Sequence, residues 1–184
     1  MTGQLDECDR TTEMALDILK DMELQETYCR VTSAGVLLAR GSFSSGMDLL
    51  ERQLDFYRQC DAQFFEAQTM LMIGMFYLRI ALRSGPRQPG TMKKNFLFLV
   101  KNLPVAAKKA ERNLSAAAGK LRKMGALSYF GLASLALGRL YLSRKKKDLA
   151  REQIVAAVEA LETCRARVYL EQAREALASL DQPS

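Results

Sequence analysis

The run SLALGRLYLSRKKKDLAREQIVAAVEAL, residues 134–161, decides the fold. In it Gly138 follows Leu137, Tyr141 comes three residues later, and Ala150, Ile154 and Ala157 stand twelve, sixteen and nineteen residues beyond the glycine. Apolar residues three or four apart on both sides of the basic stretch Arg144 to Lys147 describe two helices joined by a short turn. Small residues at 138 and 150 allow those helices to cross closely, and the large apolar residues beside them fill the remaining space.

Outward from this hairpin the same marks return. Forty residues upstream of Ala150, Ile154 and Ala157 stand Ala110, Leu114 and Ala117, and a further 64 back stand Gly46, Leu50 and Gln53, of which the first two fit. The first-helix marks run Ala34, Gly74, Gly138 and Ala178, with gaps of 40, 64 and 40. Both series need 24 extra residues, and their gaps overlap only between Gly74 and Ala110. The spacing therefore predicts three helical hairpins of about 40 residues, at 27–60, 62–124 and 125–164, with an insertion at about 83–106 inside the second. A flanking helix at 5–24 and a capping helix at 167–180 complete a single domain spanning 1–184.

The helix limits follow from local signals. Gly41 can stop a second helix that begins near Thr27, and Ser44 or Ser45 can cap the third, which ends near Cys60. A long helix from about Ala62 to Arg83 is apolar on most sides, which places it centrally. The cluster Ser84, Gly85, Pro86, Pro89 and Gly90 then interrupts the chain, and Pro104 suits the first turn of a helix extending to about Met124. Two helices follow at about Leu127 to Ser143 and Asp148 to Cys164. No run has the strict alternation of a half-buried strand, so the class is all-α.

Composition narrows the chemistry. With 184 residues and 48% apolar content the chain can bury a substantial core. No stretch approaches a membrane span, and Met1 to Arg10 is polar and acidic, unlike a secretory signal; the expectation is a cytoplasmic protein with no membrane partner. Cys8, Cys29, Cys60 and Cys164 lie far apart and there is no histidine, so reduced, mostly buried thiols are expected, with neither metal nor cofactor. The missing histidine also removes the commonest general base, no phosphate loop is present, and Glu159 with Glu162 makes no active site. A non-enzyme is expected.

The helical marks of 134–161 and their recurrence resemble the tetratricopeptide repeat (TPR) family. Repeats of about 40 residues, together with the run Glu171, Gln172, Ala173, Arg174 before Leu177, are similar to the repeat tails of bacterial nucleotide-cyclase and ATPase-type transcriptional regulators. The resemblance implies a right-handed superhelical stack of antiparallel hairpins, an α-solenoid, serving protein–protein interaction in signalling or transcription regulation. It also implies a concave groove lined by first helices. Carried onto this chain, the groove positions are Tyr28, Val31, Gly35 and Leu38; then Gln68, Leu71, Met75, Leu78 and Arg79; then Leu132, Leu135, Arg139 and Leu142. The carboxylate clamp of the chaperone-binding members is absent, because Val31 and Gly35 stand at its positions.

Two further features invite other readings. The net charge is +6, and Lys108, Lys109, Arg112, Lys145 and Lys146 belong to a basic middle region able to follow phosphates, which makes nucleic acid an alternative partner. The insertion carries Phe96, Phe98 and Leu99 in a short apolar piece between lysines. It can pack internally, lie across the groove, anchor a partner, or close a cavity that senses a small ligand. Oligomeric state stays open, since the first helix can equally pack on a twin.

Overall fold

A computed structural model describes residues 2–18, 23–84 and 90–181. Every regular segment among them is helical: α1 Thr2–Ile18, α2 Glu23–Ala39, α3 Phe43–Gln59, α4 Gln63–Ala81, α5 Thr91–Lys94, α6 Phe96–Asn102, a single 3-10 turn Leu103–Val105, α7 Ala106–Lys123, α8 Leu127–Ser143, α9 Lys147–Thr163 and α10 Arg167–Asp181. Sequences rich in Ala, Leu, Met, Glu, Lys and Arg account for these helices through propensity. Packing of an apolar stripe then fixes them.

The connections follow one pattern. Gly41, Asp61, Arg83, Gly125, Lys145 and Arg165 each take a left-handed conformation, with φ between 50° and 77°. The amide of the next residue donates to the carbonyl five residues back, from Ser42 to Leu37 at 2.8 Å, Ala126 to Leu121 at 3.0 Å and Ala166 to Leu161 at 2.9 Å, among others. This is the Schellman stop, which satisfies a helix-terminal carbonyl while reversing the chain. Repetition of that stop every 20 residues, at 125, 145 and 165, is the physical origin of the 40-residue period.

The chain divides into two compact units, one of residues 1–65 and 86–104, the other of 66–85 and 105–184. In the first unit α2 and α3 form a hairpin, and a Cβ at Gly46 would lie 2.7 Å from Leu38 Cγ and 3.1 Å from the Ala34 carbonyl oxygen. Ala34 and Leu50 are fully buried there. Tyr57 stacks on Phe65 with ring centroids 5.4 Å apart. The α1 helix joins α2 through an ion pair between Asp6 and Arg40.

In the second unit α4 packs on α7 where Gly74 meets Leu114, a Cβ on the glycine falling 2.7 Å from Leu114 Cγ. With 24 residues taken out between them, Gly74 and Leu114 stand 16 apart, as Gly138 and Ile154 do. Gly138 meets Ile154 and Gly131 meets Leu161 across the α8–α9 hairpin. Ala173 of α10 closes a cluster with Leu135, Ala157 and Leu161.

Several boundaries differ from expectation. The second helix is already formed at Glu23, upstream of Thr27. Residues 19–22 lie outside the described ones. Neither Ser44 nor Ser45 caps α3; Ser42 holds that position without a cap bond, and its Oγ accepts instead from Lys94 Nζ at 2.9 Å. Pro104 lies in the 3-10 turn, and α7 starts only at Ala106. The thiols are free but not buried: Cys60 and Cys164 are exposed, and Cys8 and Cys29 are half-buried. Both exposed cysteines follow directly after a helix, in C-cap positions.

Candidate functional site

The first helices of the second unit carry a half-exposed stripe. On α4, Gln68, Met72, Met75 and Arg79 recur at helical spacing, the first three half-buried and Arg79 exposed. On α8, Leu132 and Leu142 are half-buried and Arg139 is exposed. Two hydrogen bonds join these helices and α10 side by side. Gln68 Nε2 donates to Tyr129 Oη at 3.1 Å, and Arg139 Nη2 donates to Gln172 Oε1 at 3.1 Å.

Other residues expected to line a groove lie in the interior. Leu71, Leu78 and Leu135 are buried in the second unit, as Val31 is in the first. Leu38 is half-buried and fills the space that Gly46 leaves open. Gly35 is half-buried in α2. Tyr28 lies in α2, but its side chain falls outside the described residues.

The basic residues are only partly gathered. Lys108 and Arg112 are exposed on α7, one turn apart. Lys109 turns inward, its Nζ donating to Tyr77 Oη at 3.1 Å and lying 4.8 Å from the ring centroid. Lys145 is exposed at the α8–α9 turn, and Lys146 Nζ stands 5.8 Å from the Tyr141 ring centre. Between these groups Glu111 binds Arg144 at 2.8 Å, which places a carboxylate inside the basic surface. Burial raises the Tyr141 pKa above the ordinary tyrosine value, and the Glu111 carboxylate beside it adds to the shift.

The insertion resolves into two faces. Inward, Phe98 meets Phe43 edge to face at 6.0 Å, and Leu99 is half-buried. Asn95 is 5% exposed. Its Nδ2 donates to the Gly41 carbonyl at 2.6 Å and the Thr91 carbonyl at 2.8 Å, while its Oδ1 accepts the Phe43 amide at 3.1 Å. The insertion is thus fastened to the α2–α3 turn. Outward, Phe96 is exposed, with Leu97 and Val100.

Sequence reasoning missed Asn95, because a lone asparagine among lysines carries no periodic signal. It also missed Glu66, a buried carboxylate on α4 whose Oε2 accepts from Lys120 Nζ of α7 at 2.7 Å. Among the described residues no group of three or more His, Cys, Asp or Glu side chains could hold a metal ion. No described helix is long and apolar enough to cross a membrane. No protein-family model, curated protein or solved structure matches the chain.

Proposed function

We propose that the chain is a TPR-like helical repeat, a superhelical stack of about three hairpins, acting as a non-catalytic protein-interaction module in cytoplasmic regulation. The observation that carries this reading is the stripe of α4 and α8. There Met72, Met75, Leu132 and Leu142 are left half-buried beside the exposed guanidinium groups of Arg79 and Arg139. A partner segment laid along the stripe would bury the apolar surface, and its carboxylates would meet the two arginines in charge-assisted hydrogen bonds. Arg139 already holds a neutral acceptor, Gln172 Oε1, which a carboxylate can replace.

A peptide array of apolar and acidic segments provides the test. Peptides bound by the unaltered chain should lose at least about tenfold in affinity when Arg79 and Arg139 are both replaced by alanine, given what charged hydrogen bonds contribute. The thermal midpoint should move little, because both side chains are exposed and the bond lost from Arg139 to Gln172 is itself exposed to solvent. Equal binding by the two proteins would overturn the assignment.

A further inference from the structure

Between Glu66 and Glu111 the sequence contains no acidic residue at all. In the middle of that interval lies α6, whose inner side is anchored by Phe98 against Phe43. Its outer side is inverted relative to an ordinary surface helix. Phe96, Leu97 and Val100 are 63%, 82% and 58% exposed, and Met92 of the preceding turn is 73% exposed. Lys93, Lys94 and Lys101 are exposed around them. Large apolar side chains facing water, flanked in sequence by cations, are costly to maintain unless something covers them.

We propose that this face docks on the surface of an anionic lipid bilayer. Phe96, Leu97 and Val100 enter the boundary between headgroups and acyl chains, and the lysines contact lipid phosphates. Three observations favour a bilayer over a protein partner. The α6 helix has only seven residues and offers one apolar side rather than a cleft to enclose a peptide. Interfacial binding needs buried apolar area and positive charge, with no matched shape. The charged residues nearest in sequence to the apolar side chains, Lys93, Lys94 and Lys101, are all cations and all exposed. The expectation of no membrane contact rested on the absence of a spanning segment, which surface docking does not require.

The chain has no tryptophan, so Phe96→Trp in the full chain gives a single reporter. Its emission should shift to the blue on phosphatidylcholine vesicles containing about 30% phosphatidylglycerol, and the shift should fade with added salt and be absent on phosphatidylcholine alone. Phe98→Trp, on the packed side, should respond little. Replacing Lys93, Lys94 and Lys101 together by glutamine should weaken vesicle co-sedimentation by about a hundredfold, at the usual contribution per cation near an anionic surface. Leu97→Asp with Val100→Asp should abolish it while circular dichroism stays unchanged. No shift of the Phe96→Trp signal on anionic vesicles would overturn the proposal. So would a shift produced only by an acidic helical peptide, which would reassign the face to a protein.

Discussion

Gly138 faces Ile154 across the α8–α9 hairpin with no room for a side chain between them. A Cβ at Gly138 would overlap Ile154 Cγ1 and stand 3.3 Å from the backbone carbonyl oxygen of Ala150, so neither neighbour can simply swing away. Gly119, on α7, has nothing within 4 Å of its Cβ position. The two glycines should therefore respond oppositely to alanine. Gly138→Ala should lose about 1–3 kcal/mol through overpacking. Gly119→Ala should gain roughly 0.5–1 kcal/mol from helix propensity. Urea midpoints of the two variants would establish the signs, and a stabilising Gly138→Ala would contradict the close crossing.

The helix stops at Lys145 and Arg165 place side chains at φ 58° and 56°, a region where a Cβ is strained. Glycine relieves that strain but enters with a more flexible unfolded chain, so the net gain is smaller than the strain itself. Lys145→Gly and Arg165→Gly should each stabilise by about 0.5–1 kcal/mol. Gly125 sits at φ 67° in open space. Its replacement by alanine should cost on the order of 1 kcal/mol purely through the backbone. Thermal midpoints that fall for Lys145→Gly would show that its turn is held by side-chain contacts instead.

These turns mark where sequence reading stops. The small-residue series at Ala34, Gly74 and Gly138, and at Gly46, Ala110 and Ala150, was legible because a close crossing admits few residue types. The segment it set apart as an insertion holds the short helices α5 and α6, between α4 and α7. Asp61, Arg83, Lys145 and Arg165 take the same backbone state as Gly41 and Gly125 without glycine, so composition does not expose them. The expected groove was legible only as a spacing. Helical spacing identifies a face, but whether Leu71 or Met75 on that face is covered depends on the neighbouring helices, which no local pattern encodes. The fastening of the insertion by Asn95 spans 52 residues to Phe43 and was invisible for the same reason.

Tyr141 should be detectable by titration. Burial first, then the Glu111 charge and hydrogen bond, raise its pKa above 10.0. A group whose folded pKa is raised contributes stability that is present below the unfolded value and is lost as pH rises through the folded value. Stability should therefore fall above about pH 10, and Tyr141→Phe should remove part of that fall. The ultraviolet difference between the two proteins should show phenolate forming with a midpoint above that of an ordinary tyrosine. A midpoint at or below it would contradict the packing of Tyr141 beside Glu111.

Asn95 is expected to control the insertion alone. Its carboxamide supplies donors to the Gly41 and Thr91 carbonyls and an acceptor to the Phe43 amide, and Thr91 in turn lies where a Cβ on Gly41 would be, 2.9 Å from its Cγ2. Leucine is similar in size but would leave the buried Gly41 carbonyl and Phe43 amide without that partner, a loss of about 1–3 kcal/mol. Asn95→Asp would keep the acceptor and lose the donors, so its cost should be of the same order while the Phe43 amide keeps its bond. Hydrogen exchange separates the cases. Asn95→Leu should speed exchange at Phe43 and in α5 and α6, Asn95→Asp should spare Phe43, and the amides of α8 and α9 should be unaffected by either. Faster exchange throughout α8 and α9 would mean that the insertion supports the whole chain, and the local role of Asn95 would fail.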